Sequence, residues 1–210
     1  MLMSNFSITS REITEISISM LVLSVALYIA MEGVSSIFTD ITSTFINVGI
    51  LLIALGFGFV FHELGHKFVA QYYGAQAEFR MWPMGLVLAF GMAVLIGIIF
   101  AAPGAVYIYA EKITRKQNGL ISLAGPFVNF TLAVIFLVLF ILLLPILGAD
   151  SILIRLAFIG WNINAVLGFF NMLPIGPLDG GKIMSWNFFV WLLFFMFGIA
   201  IFFLPMLFMM

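Results

Sequence analysis

The chain has no cysteine. Disulfides, thiolate–zinc sites and cysteine nucleophiles are therefore excluded, and any metal must be held by His, Asp or Glu. Charge is also scarce. Charged residues make up 8% of the 210 positions, against about 25% in a soluble domain. Hydrophobic residues make up 64%. No soluble fold of this size hides so much apolar surface, so lipid is the solvent for most of the chain. The net charge of -1 offers no basic face, which excludes nucleic acid as a partner. Internal repeats and low-complexity linkers are absent. The expectation is one membrane-embedded domain over residues 1–210. No secretory signal pattern precedes the first long apolar run, which is entered through Arg11, Glu12 and Glu15.

What is present is a series of apolar runs. Thr9 and Glu12 have capping-box spacing, so a helix starts there. It becomes spanning over about 16–38. Further runs cover about 45–73, 83–101, 120–147, 152–173 and 187–210, and the chain stops while still apolar, at FLPMLFMM. A spanning helix needs roughly 20 residues, so hydropathy alone gives six crossings.

Charge argues against six. If every run crosses, the eight cations divide four and four, although cytoplasmic loops should be enriched in Lys and Arg. If 83–101 does not cross, seven of the eight (Arg11, Lys67, Arg80, Lys112, Arg115, Lys116, Lys182) share one side and only Arg155 lies near the other. The suspect stretch, MWPMGLVLAFGMAVLIGIIFAAPGAVYIYA, carries Pro83 and Pro103 with Gly85, Gly91, Gly97 and Gly104. Its second half is rich in Val, Ile and Tyr and suits bent strands. The expectation is a polytopic α-helical membrane protein with about five spans (16–38, 45–73, 120–147, 152–173, 187–210). Membrane-associated strands lie at about 79–109. The alternative is six spanning helices.

The only two histidines, His62 and His66, stand in HELGH with Glu63 between them. On a helix, positions i and i+4 share a face, so both imidazoles reach one metal. Glu63 lies about 100° round the helix from His62, placed to take a proton from water at that metal. Ionisable groups in a spanning segment cost about 2.5–3.5 kcal/mol on insertion scales and tend to mark function.

Catalytic zinc takes three protein ligands and keeps one position open. The third must here be acidic, from Glu12, Glu15, Glu32, Asp40, Glu78, Glu111, Asp150 or Asp179. Asp179 stands apart, in FFNMLPIGPLDGGKIM between two apolar runs. There Pro174 and Pro177 break the helix, and Gly180 and Gly181 permit close approach. With five spans, the histidines and Asp179 end on the same side of the membrane. With six they end on opposite sides.

HELGH, followed downstream by N-x-x-P-x-x-P-L-D-G-G (Asn171 to Gly181), resembles the site-2 protease family of intramembrane zinc metalloproteases. SLAGPFVNF, residues 122–130, is similar to that family's G-P-x-x-N segment, and the resemblance runs from about 45 to 185. It implies one Zn2+ per chain on His62, His66 and Asp179, with Glu63 as the base. It implies a catalytic role for Asn129 near the substrate carbonyl, against the alternative of a helix–helix hydrogen bond. It also implies a membrane-associated β-hairpin between the first two motifs, with PGAVYIYAEKI as its last strand. Asn171, Pro174 and Gly104 are candidate substrate contacts. The expected activity is hydrolysis of peptide bonds within or next to spanning segments of membrane-protein substrates. The expected setting is the cell membrane, with the active site toward the cytoplasm. The alternative is a metal-binding transporter or sensor using the same histidines without peptidase activity. The bilayer is the other expected partner, and nothing in the pattern specifies an oligomer.

Overall fold

The computed structural model describes residues 6–99 and 103–204. The fold is mostly helical with one small sheet. Helix α1 (Ser10–Glu32) begins with the expected capping box, in which the Thr9 hydroxyl accepts from the Glu12 N–H and the Glu12 carboxylate accepts from the Thr9 N–H. The short α2 (Ser36–Thr39) leads to Asp40, whose carboxylate caps α3 (Ile41–Leu55) by accepting from the Ser43 N–H at 3.0 Å. One π-helical turn, Gly56–Val60, then carries α3 directly into α4 (Phe61–Tyr72).

Strands β1 (Gln76–Met81) and β2 (Gly104–Tyr109) pair antiparallel, with Phe79 opposite Val106 and Met81 opposite Gly104. Between them stands α5 (Pro83–Ile96). After the sheet come α6 (Arg115–Leu147), α7 (Ile152–Asn171), α8 (Asp179–Trp186) and α9 (Phe188–Phe203).

Four helical stretches among the described residues are long and apolar enough to cross a membrane: Ser10–Glu32, Ile41–Tyr72, Arg115–Leu147 and Ile152–Asn171. They overlap four of the expected spans, the first lying six residues earlier at each end than 16–38. The fifth expected span, 187–210, contains the 16-residue α9. Its last part, 205–210, lies outside the described residues.

Continuous strands over about 79–109 are not what forms. Residues 83–96 are helical, and only the two ends of the segment are strands. Pro83 suits a first helical turn because its fixed φ is already helical and its missing N–H would have had no partner there. Gly97, at φ 70°, closes the helix in the left-handed conformation. Leu86, Ala89 and Ala93 form its buried stripe, and the clusters they join include Leu23, Ala26 and Ile29 of α1. Of the Val–Ile–Tyr-rich half, the described strand is β2, which holds both tyrosines. At 14 residues α5 is about 21 Å long, short of the roughly 30 Å hydrocarbon layer. Residues 100–102, the end of that run, lie outside the described residues.

Helix α6 is the central post, packed against α4, α7 and α8. Small residues let its aromatic rings sink into α7. A Cβ on Gly160 would stand 2.8 Å from the Phe136 ring, and one on Gly168 2.6 Å from the Phe130 ring. Close helix contact through small residues is how helices associate where no water drives them together. Trp161 is fully buried in the same core, and the Trp191 N–H donates to the Met172 carbonyl at 2.8 Å.

The beginnings of α3 and α7 meet at one end, where the Arg155 guanidinium donates to Asn47 Oδ1 at 2.5 Å. Both helices run from there toward the other end. That parallel course delivers the α4 histidines and the α7–α8 turn to one depth.

Candidate functional site

Helix α4 presents His62 and His66 on one face, as i and i+4 must be. Their Nε2 atoms lie 3.0 Å apart. Asp179, in the first turn of α8, places Oδ2 3.1 Å from His66 Nε2 and 3.5 Å from His62 Nε2. One ligand atom from each of the three lies within 4.8 Å of the others, and all three residues are buried. Among the acidic candidates, the structure brings Asp179 and not the others into this cluster. The turn preceding α8 depends on Gly180, where any Cβ would collide with the Met172 and Leu173 carbonyls. Lys182 Nζ stands 3.5 Å from the other Asp179 oxygen.

The donor set fits a zinc ion. Both imidazole Nδ1 atoms are matched to oxygen acceptors, His62 to Asn129 Oδ1 at 2.5 Å and His66 to the Ile121 carbonyl at 2.7 Å. An acceptor at Nδ1 keeps the proton there and leaves the Nε2 lone pair for a metal. The space also exists. A Cβ on Gly125 of α6 would stand 2.5 Å from His66 Nε2 and 2.6 Å from His62 Nε2, so glycine leaves this pocket open where the nitrogens converge. The next residue, Pro126, offers no N–H to the Ser122 carbonyl and crowds that turn of α6, the same turn whose Ile121 carbonyl serves His66.

Glu63 is buried beside the histidines, and its Oε2 accepts from the Val106 N–H at 2.8 Å. Phe79 and Val106 face each other in a pair whose N–H groups both point outward. The β2 edge therefore turns toward the HELGH helix. The β1 edge is closed by α1, with the Phe79 N–H donating to Glu12 Oε1 at 2.9 Å and the Met81 N–H to Glu15 Oε2 at 2.9 Å. Glu12 also accepts from Lys67 Nζ at 2.5 Å, and both side chains are 1% exposed. Lys67 is thus spent inside the protein and drops out of the charge bias, which leaves six cations in that expectation.

The expected role of Asn129 at the substrate carbonyl does not fit its bonds. It is fully buried. Its oxygen accepts from His62, and its Nδ2 donates to the Gly58 carbonyl at 2.9 Å and to Asn164 Oδ1 at 3.0 Å. Both of its N–H groups are thus engaged by protein oxygens and its own oxygen by His62. Asn171, at the end of α7, donates to the Leu167 carbonyl, and Pro174 is exposed in the turn before Asp179. Gly104 is buried at the start of β2, where a Cβ would meet the Phe79 ring at 2.6 Å, so strand packing requires it. Asn164, Ile121, Val106 and the Glu12–Lys67 pair were not legible beforehand. Each acts through a partner dozens of residues away.

Comparisons with known proteins agree with this geometry. Residues 50–149 match Peptidase family M50. The Methanocaldococcus jannaschii protein named "Putative zinc metalloprotease MJ0611" is 43% identical over 189 residues, 90% of this chain and 91% of that protein. A second protein of the same organism, "Zinc metalloprotease MJ0392", is 28% identical over 181 residues, and the match covers 45% of its length. YwhC of Bacillus subtilis, named like the first, is 33% identical over 147 residues, 64% of this chain and 67% of that protein. No solved structure matches the chain.

Proposed function

The chain belongs to peptidase family M50 and is a zinc metalloprotease of that family, and from that premise we propose that it hydrolyses peptide bonds within or next to the spanning segments of membrane proteins. One observation carries the reading: three buried metal-ligand side chains and a carboxylate base converge among apolar helices of spanning length. Zinc held by His62, His66 and Asp179 supplies Lewis-acid polarisation of a carbonyl and a water acidic near neutral pH. Glu63 takes the proton of the attacking water and returns it to the leaving nitrogen. The Val106 N–H holds one Glu63 oxygen and leaves the other for that proton. Asn129 and the Ile121 carbonyl keep the imidazoles turned to the metal.

A helical amide is shielded by its own hydrogen bonds, so a substrate segment unwinds before it is cut. The β2 edge beside Glu63 supports entry as an added strand, with Ala105, Tyr107 and Tyr109 exposed along it. Asn171 and Pro174, in and before the turn that delivers Asp179, flank that strand in this reading. The six remaining site-side cations support a cytoplasmic active site, with α9 as a fifth span and the whole chain as one domain of the cell membrane.

The test is cleavage of a set of single-span peptides in proteoliposomes, with the cut positions read by mass spectrometry. The expected result is zinc-dependent cutting inside or next to the apolar segment. The cutting should be lost in Glu63→Gln, which should still bind zinc. Metal transport or sensing that survives Glu63→Gln, with no cutting in the wild type, would overturn the reading in favour of a metal-binding membrane protein of another class.

A further inference from the structure

We propose that Asn164 of α7 is a positioning residue for the metal: together with the Gly58 carbonyl it fixes which way the Asn129 amide faces, and through it the tautomer of His62. The inference rests on the zinc reading of the site. A buried amide has one acceptor end and one donor end, and turning it over exchanges them. The donor end of Asn129 meets two oxygens, Gly58 O and Asn164 Oδ1, while its acceptor end meets His62 Nδ1. A reversed Asn129 would set its oxygen against both oxygens and its N–H groups against His62. His62 would then serve as acceptor at Nδ1, carry its proton on Nε2 and have no lone pair for a metal.

Asn164 is itself held in one orientation. It is fully buried, and its Nδ2 donates to the Gly160 carbonyl at 2.8 Å, which leaves Oδ1 facing Asn129. Donation therefore runs in one direction, from His62 to Asn129, from Asn129 to Asn164 and from Asn164 to the α7 backbone. The π-helical turn completes the arrangement. It presents the Gly58 carbonyl to Asn129, and a Cβ at Gly58 would stand 3.0 Å from Leu167 and 3.4 Å from Asn164 Oδ1, so glycine lets α7 come this close.

The two histidines reach the same tautomer by different means. His66 relies on a backbone carbonyl, which no side-chain substitution reverses. His62 relies on the Asn129 side chain, which Asn164 and the Gly58 carbonyl orient together. The chain holds only these two histidines, so His66 is an internal control in the same molecule.

The experiment measures zinc affinity by chelator competition, and the two imidazole Nδ1–H resonances of the zinc-loaded protein, in detergent. Wild type is compared with Asn164→Leu, Asn164→Ala and the double variant Asn129→Asp with Asn164→Leu. The single variants should lose about 10-fold or more in zinc affinity, the range for removing a partner behind a metal ligand. They should shift the His62 resonance and leave that of His66. A buried neutral carboxylic acid at 129 can donate its O–H to the Gly58 carbonyl while its other oxygen accepts from His62, with no partner needed at 164, so the double variant should recover most of the affinity. Unchanged affinity in the single variants would overturn the inference. So would a double variant as weak as the singles with both resonances displaced, because that is the result of a general packing role. A wild type that binds no zinc would instead sink the metal reading beneath it.

Discussion

At one edge of the two-stranded sheet the Phe79 N–H donates to Glu12, and at the other the Val106 N–H donates to Glu63. The bonds are alike, at 2.9 and 2.8 Å, and both carboxylates are buried. What differs is what else each carboxylate meets. Glu12 accepts from Lys67, Phe79 and Thr9, so its charge is balanced and both of its oxygens are engaged. Glu63 accepts from Val106 while standing next to two imidazoles that are turned toward a common point. The Glu12 edge closes the sheet against α1, and the Glu63 edge keeps an acceptor near the metal ligands. A buried carboxylate saturated by donors holds the fold together, whereas one with an oxygen to spare beside a ligand cluster can move a proton.

Substitutions at the two edges should separate these roles. Glu63→Gln removes the base and keeps the shape, so cleavage should fall by about 10²–10⁴-fold, the usual worth of a general base, with zinc content unchanged. Glu12→Gln leaves Lys67 buried without its counter-charge and should cost about 3–5 kcal/mol of stability, read as a lower melting temperature in detergent. Adding Lys67→Met to that variant should restore much of the loss, since it removes the buried charge left without a partner. Of the backbone groups, Val106→Pro removes the outward N–H, which takes no part in the ladder. It should lower the cleavage rate by the worth of one hydrogen bond to a charged group, about 1.5–3 kcal/mol, and leave zinc binding intact. Glu15→Gln, on a partly exposed side chain bonded to Met81 and Arg11, should cost about 1 kcal/mol of stability and nothing in zinc binding. Comparable activity losses from Glu12→Gln and Glu63→Gln, at equal amounts of folded protein, would erase the distinction between the edges.

The parts of this arrangement that follow a short period were legible in the chain. HELGH places two imidazoles on one helix face, and Thr9 with Glu12 makes a cap, because both are contacts within one turn of helix. Asp179 emerged from elimination and topology, since no cysteine and no third histidine exists to compete with it. Glu12 was visible only as a cap and Lys67 only as a loop cation, although they form a buried pair 55 residues apart. Nothing local marks such a pair. The same holds for Asn164, which looks like any polar residue in a spanning helix until α6 packs against α7. The helix at 83–96 belongs only to the six-span alternative in the sequence reading, for another reason. Glycines and flanking prolines weaken a helix reading, but here Pro83 and Gly97 sit at the two ends, where they start and stop a helix rather than break one.

If His62, His66 and Asp179 hold one zinc ion at one depth, zinc content per chain in detergent-purified protein should be one in the wild type and should be lost in Asp179→Ala. One zinc retained in Asp179→Ala would contradict it, and with it the convergence of α4 and α8 on a shared metal.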